Sequence, residues 1–188
     1  LDHLKGKKHL QQVVLLQLIA QLNNEFYLGD RRVPKILLVD EAWEAFEDPM
    51  VAKFLEGAFR RMRKAAAAPV VVTQSLRDLY NSASGEAIAN NAANVIVLRQ
   101  NGEAIEALKE SGRFNIGDYG YEMLKSLHTE PGQYSEVLFR SGTAWGVGRF
   151  VVDRFSQLLY STMASEVAAL RALRDSGMTG AEAIKHYI

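Results

Sequence analysis

Four apolar residues, Ile36-Leu37-Leu38-Val39, run straight into two adjacent carboxylates, Asp40-Glu41, and a helical pattern starts behind them at Ala42-Trp43. A short Ile/Leu/Val run bounded by polar residues predicts a strand buried on both faces, as in a parallel sheet covered by helices. Two acids at the carboxyl end of such a strand stand where open α/β sheets bind ligands. The plainer reading is a buried strand that ends in a helix-capping Asp. The neighbouring strands decide between the two.

Residues 8–26 read as one long helix. Leu10, Val13, Val14, Leu16, Leu18, Ile19 and Leu22 spread over a broad side and Gln11, Gln12, Gln17, Gln21 and Asn23 fill the rest, so the helix is expected to pack on a sheet. After the acids, Asp48-Pro49 marks a helix start, with Asp48 as cap and Pro49 in the first turn. That helix carries Phe54, Leu55, Phe59 and Met62 inward and ends in Arg60-Arg61-Met62-Arg63-Lys64, basic residues that the macrodipole favours in a last turn. Pro69-Val70-Val71-Val72-Thr73 is a second buried run, ending in Gln74-Ser75, and Val95-Ile96-Val97-Leu98 is a third, ending in Arg99-Gln100. Strands separated by helices predict a parallel sheet.

The rest of the chain is less regular. Residues 78–94 are weakly helical, with Ser82-Ala83-Ser84-Gly85 expected as a mobile loop, either substrate-contacting or a plain connection. Residues 103–111 and 118–127 read as short helices, 134–140 and 143–152 as a hairpin about Ser141-Gly142, 154–174 as one amphipathic helix and 181–188 as a last one.

Bulk properties exclude more than they reveal. Hydrophobic residues make up 48% and charged ones 23% of 188 residues, enough for one soluble globular domain. Basic and acidic residues balance at 22 each, so overall charge announces neither nucleic acid nor membrane. Cysteine is absent, which removes disulfides, thiolate metal sites and a Cys nucleophile and is compatible with a reducing cytoplasm. No apolar run approaches the roughly 20 residues that span a bilayer. The start, Leu1-Asp2-His3, has no Met and no signal pattern, as expected of a piece of a longer protein.

If the three strands share one parallel sheet, Asp40-Glu41, Gln74 and Arg99-Gln100 gather on one edge. Each side chain then suits a step of phosphoanhydride hydrolysis. Asp40 holds Mg²⁺ through water, and Glu41 polarises the attacking water, as in a Walker B pair. Gln74, both donor and acceptor, contacts that water and the γ-phosphate. Arg63 or Arg99 stabilises transition-state charge, in the same subunit or across an oligomer interface.

Leu38-Val39-Asp40-Glu41-Ala42-Trp43, Arg63-Lys64 ahead of Val72-Thr73-Gln74-Ser75, and Ile96-Val97-Leu98-Arg99-Gln100 resemble the TraC-type conjugation ATPases, motors of bacterial type IV secretion. Residues 151–161 are also similar, although the family carries Pro where Arg154 stands. The resemblance implies a RecA-like P-loop NTPase core, a three-layer αβα fold with a mostly parallel sheet. It covers residues 1–188 as the C-terminal part of one such domain, with a core at about 8–152 and C-terminal helices at about 154–188. It implies ATP and Mg²⁺ as cofactors, with Asp40 and Glu41 as Walker B and Gln74 as the sensing glutamine. It implies Arg63 as the arginine finger, preferred over Arg60, Arg61 and Arg99; the plain alternative for Arg63 is a solvated helix end. Arg99 serves the same nucleotide interface or pairs with an acid. The implied setting is a hexamer on the cytoplasmic side of the inner membrane, with secretion-channel proteins, a coupling protein and possibly DNA as partners. The departure is large: Gly-x-x-x-x-Gly-Lys-[Ser/Thr] occurs nowhere, so the Walker A unit is expected to be lacking and the chain alone to be inactive on ATP.

Two other functions fit the same residues. A DNA-pumping coupling ATPase or helicase shares the Asp-Glu pair and a glutamine, although the balanced charge speaks against a basic groove. A non-catalytic docking domain of the secretion channel needs no nucleotide. His3, His9, His128 and His186 have no metal-ligand spacing. Trp43 is expected as a buried anchor for the following helix rather than a base-stacking residue, and Tyr119, Tyr121 and Tyr134 as packing residues rather than a peptide or DNA platform.

Overall fold

The computed structural model describes residues 7–188; residues 1–6, His3 among them, lie outside the described residues. Packing divides the chain into two units, residues 1–95 with 100–117 and residues 96–99 with 118–188.

The first unit begins with α1 (Lys8–Asn23), which passes into a single π-helical turn (Asn24–Leu28). Then come β1 (Lys35–Val39), α2 (Ala42–Glu47), α3 (Pro49–Arg61), a 3₁₀ turn (Met62–Ala65) and β2 (Ala67–Val71). The unit closes with α4 (Leu76–Tyr80), α5 (Ala83–Asn91) and α6 (Gly102–Ser111). β1 and β2 pair in parallel, from Lys35 opposite Ala67 to Val39 opposite Val71. α3 starts as its sequence dictates: Asp48 Oδ1 accepts from Met50 N at 2.9 Å and Val51 N at 3.2 Å, with Pro49 in the first turn. The helix then lays Ala58, and the 3₁₀ turn lays Met62, on Ala67, with Phe26, Leu37 and Phe54 packed around them.

This layer covers one face only. Ile36 and Leu38 are 72% and 61% exposed, against the expected burial on both faces. Successive strand side chains point to opposite faces. The apolar layer of α3 and the π turn meets Leu37, so the side chains of Ile36 and Leu38 point away from it. Nor is α1 laid on the sheet. Leu10, Val13, Leu16 and Leu18 are exposed, and the helix reaches the core through Leu22 near its end.

β2 begins two residues earlier than the apolar run indicated and takes Pro69 into its middle. Ala66 O accepts Lys35 N and Val72 N donates to Val39 O, so alternation turns the nitrogen of Pro69 to the edge away from β1. The missing N–H therefore costs the pair nothing, and a free edge is where a strand tolerates proline. The expected mobile loop at 82–85 is instead the start of α5. Ser82 Oγ caps Gly85 N at 3.0 Å, and a Cβ on Gly85 would stand 2.2 Å from Leu79 O. Glycine is there for the close passage of α4, not for mobility.

The second unit contains α7 (Gly117–Ser126), β4 (Thr129–Glu130), β5 (Tyr134–Ser141), β6 (Ala144–Phe150), α8 (Arg154–Leu159), α9 (Ala164–Asp175) and α10 (Gly180–Tyr187). Its sheet runs in the order β3-β5-β4, where β3 is Asn94–Val97, and β6 pairs with β5. β4, β5 and β6 are antiparallel neighbours, so the parallel part of this α/β chain is smaller than expected. The hairpin turns through Gly142-Thr143 with Gly142 at φ +59°, as in a two-residue II′ turn, one residue later than the Ser141-Gly142 reading. The single helix expected at 154–174 is broken between α8 and α9. Ser161 Oγ accepts Met163 N at 3.1 Å and donates to Glu166, which also takes Arg154 Nη2 at 2.8 Å. A serine that bonds its own backbone competes with helix continuation. Tyr121 is buried and Tyr134 lies under Arg149, whereas Tyr119 is 70% exposed with its ring 5.9 Å from that of Trp145. Among the described residues no helix is long and apolar enough to cross a membrane.

Candidate functional site

Because β1 and β2 run in parallel and in register, the residues that follow them meet at one edge of the pair. Val72 N donates to Val39 O at 2.9 Å, and Val72 O then accepts from Ala42 N at 3.0 Å, where a regular parallel ladder would take residue 41. Asp40 and Glu41 thus face the single residue Val72, the geometry of a β-bulge, a device that re-aims side chains next to active sites. The extra residue is taken up at Glu41, which adopts φ 51° and ψ 43°. A left-handed residue with a side chain costs about 1–2 kcal/mol. Ala42 behind it is fully buried and anchors α2.

The bulge turns the Glu41 carboxylate onto Gln74. Gln74 Nε2 donates to Oε1 at 3.0 Å and to Oε2 at 3.1 Å, and Trp43 Nε1 donates to Oε2 at 2.8 Å. Donors on the ionised form favour it. The Gln74 amide first, and the Trp43 indole second, hold the carboxyl below its ordinary value, against a smaller opposing effect of desolvation. Gln74 itself sits in a fixed turn. Thr73 Oγ1 donates to Ser75 O at 2.9 Å, Ser75 N donates to Asp78 Oδ2 at 3.1 Å, and Leu76 N reaches Gln100 Oε1 at 3.4 Å. Asp40 spends Oδ1 on Glu41 N at 2.9 Å and is exposed. Among the described residues no three His, Asp or Glu side chains cluster as a metal cage. An exposed carboxylate such as Asp40 fits Mg²⁺ held through water beside phosphate oxygens, the way this ion is commonly bound.

Among the described residues β3 pairs with β5 and not with β1 or β2, so the three strands do not form one parallel sheet. Sequence order made the three strands look alike, but adjacency depends on backbone partners that local pattern does not encode. Arg63 stands in the 3₁₀ turn before β2, at the amino end of the pair. The five residues of β2 extend about 13 Å between that end and the one leading to Gln74. Arg60 pairs with Glu56 at 2.8 Å, and Arg61 lies over Tyr27, 5.7 Å from the ring centroid. Arg63 is exposed and among the described residues has no side-chain partner.

A family model, the TraG P-loop domain, matches residues 1–188. The chain belongs to the TraG P-loop domain family. This TraG P-loop domain chain is 24% identical to protein TraC of Escherichia coli strain K12 over 198 residues, covering 98% of the chain and 22% of TraC. A solved structure of VirB4 of Thermoanaerobacter pseudethanolicus superimposes with a TM-score of 0.57 at 22% identity, over 76% of the chain and 37% of VirB4. The fold is therefore that of a P-loop NTPase-like α/β domain, and the TraC-type resemblance read from the sequence is shown. The chain spans well under half of either relative.

Two features of this TraG P-loop domain chain are not legible in the sequence. The bulge needs Val72 to be known as the partner of Val39. Trp43 carries a signal, since it lies two residues beyond Glu41 on a helix start, but the pattern predicts a buried anchor and the residue is 38% exposed.

Proposed function

We propose that this chain carries the water-activating part of an ATP site in a hexameric motor ATPase. The motor energises type IV secretion, conjugative DNA transfer or pilus assembly from the cytoplasmic face of the inner membrane. The observation that carries the reading is the Glu41–Gln74 pair, joined at 3.0 Å and 3.1 Å across the carboxyl ends of two adjacent parallel strands. Family membership supports the nucleotide, and the lengths of TraC and VirB4 support a longer parent.

In this reading Glu41 accepts a proton from the attacking water, and its anionic state at neutral pH is secured by two donors. Gln74 has one amide nitrogen on Glu41 and its oxygen left over, so it can report to the carboxylate what it touches at the phosphate. Asp40, with Oδ1 on Glu41 N, would hold Mg²⁺ through water with its second oxygen. When bound, Mg²⁺ neutralises charge on the β- and γ-phosphates. The phosphate-cradling loop, whose Gly-x-x-x-x-Gly-Lys-[Ser/Thr] pattern this sequence lacks, comes from elsewhere in the parent. Arg63 serves a neighbouring subunit's nucleotide, because β2 separates it from the site of its own chain. Secretion-channel proteins and a coupling protein are the proposed partners.

The test is Glu41→Gln in the full-length protein. Hydrolysis and transfer fall to background while nucleotide binding persists; unimpaired transfer would remove Glu41 and the reading with it.

A further inference from the structure

The Glu41 carboxylate is held by two donors of different kinds. Gln74 Nε2 lies across both oxygens, over the mouth of the group, where a water bridging the two oxygens would sit. Trp43 Nε1 approaches Oε2 alone, at 2.8 Å. An ionised carboxylate accepts about four hydrogen bonds, so loss of the Gln74 donor leaves room for a water and still leaves Oε2 engaged. The supports differ too. Trp43 rides in the first turn of α2, whose preceding residue, Ala42, is fully buried and bonded to Val72 O. Gln74 lies in the connection between β2 and α4, and three side-chain torsions place its amide against two for the Trp43 indole. The Trp43 donor is the stiffer one; the Gln74 amide can turn on a backbone that the turn holds fixed.

We infer that Trp43 is a positioning residue for the Glu41 carboxylate, holding Oε2 in place while the Gln74 amide exchanges its hydrogen bond for one to an anionic oxygen of the nucleotide. The inference rests on the proposed function and adds a division of labour to it. Glu41 sits in a left-handed conformation that a free glutamate side chain does not stabilise by itself. If both donors left together, the carboxylate would lose its orientation at the moment a water has to be held. With Trp43 in place it rotates about a fixed oxygen instead. Phenylalanine at this position keeps the ring and removes the donor.

Indole resonances test the arrangement without any turnover. In the 188-residue chain, the Trp43 Nε1–H signal is expected downfield and protected from solvent exchange, with Trp145, packed 5.9 Å from Tyr119, as internal reference. Gln74→Ala leaves that protection in place, and Glu41→Ala abolishes it. An indole that exchanges equally fast in the wild-type chain and both variants overturns the inference, whatever the ATPase result. In the full-length protein, Trp43→Phe lowers kcat by about 10–100-fold, the usual loss for an outer-shell partner, with KM unchanged. A rise in KM at constant kcat would make Trp43 a packing residue and overturn the inference while leaving the proposed function standing.

Discussion

The two ends of the β1–β2 pair share an unusual backbone and put it to different uses. Glu41 follows β1 and Ala66 precedes β2, and these are the two non-glycine residues with positive φ among the described residues, at 51° and 53°. At the carboxyl end, the strained residue is a charged one whose side chain is tied to Gln74 and Trp43. At the amino end, it is an exposed alanine whose carbonyl accepts Lys35 N at 3.0 Å and whose methyl group has no task that the geometry shows. Strain at Glu41 coincides with a convergence of polar groups; strain at Ala66 only turns the chain into β2. Of the two left-handed residues, only the one at the candidate site has its side chain engaged.

The sharpest way to break this contrast is at the amino end. Arg63, exposed there, is assigned to a neighbour's site, so Arg63→Ala in the full-length protein should lower kcat by about 10³-fold or more. Fold stability should not change. Mixing Arg63→Ala with Glu41→Gln subunits should restore part of the activity, because some interfaces then join an intact Glu41 to an intact Arg63. No recovery at any ratio, read by phosphate release, would place both groups in one chain's site and collapse the distinction.

Beneath that end lies Met62, fully buried against Ala58, Ala67 and Phe26. Met62→Ala leaves a cavity and should cost about 2–5 kcal/mol in denaturant unfolding. A smaller loss would mean that the layer under β1 and β2 collapses more freely than its packing indicates. Ala66→Gly should act in the opposite direction, raising stability by about 1 kcal/mol through relief of the left-handed backbone, partly offset by the freedom glycine gains when unfolded. Glu41→Gly relieves the same strain but discards three hydrogen bonds and the carboxylate, so activity disappears. Equal thermal shifts for the two glycine variants would show that the Glu41 contacts add nothing to stability.

The smallest effect is expected in the second unit, at the break between α8 and α9. Glu166 is held below its ordinary value of 4.5, by the Ser161 hydroxyl first and Arg154 second. A carboxylate with a depressed folded-state value adds stability above its unfolded value, and this is lost as pH falls through the folded one. Wild-type chain should therefore lose a little stability as pH drops below about 4.5, and Glu166→Gln should flatten that part of the profile. An unchanged acid limb in thermal melts would show that Ser161 and Arg154 hold Glu166 no better than water does.

Much of this was written in the chain. Asp48-Pro49 named the start of α3, 36–39 and 70–71 fell in strands, and the polar residues at their ends included the three, Asp40, Glu41 and Gln74, that parallel pairing brings to one edge. What failed had a common cause. Ser82-Ala83-Ser84-Gly85 looks like a loop until α4 passes within contact of Gly85. The third strand looks equivalent to the first two until β5 proves to be its partner. The apolar run of β1 looks doubly buried until a single helical layer is seen to cover it.

By itself, the sequence determined the strand runs at 36–39 and 70–71, the Asp48-Pro49 helix start and which acids stand at a strand end, because those follow from periodicity, proline and side-chain chemistry acting over a few residues. Only the tertiary structure decided that Val72 bonds both Val39 and Ala42 and so forces a bulge at Asp40-Glu41. That one non-local pairing turns Glu41 toward Gln74, 33 residues further on, and leaves Arg63 at the opposite end of β2. Backbone hydrogen bonds between distant segments set the direction of side chains, and no local pattern carries that information.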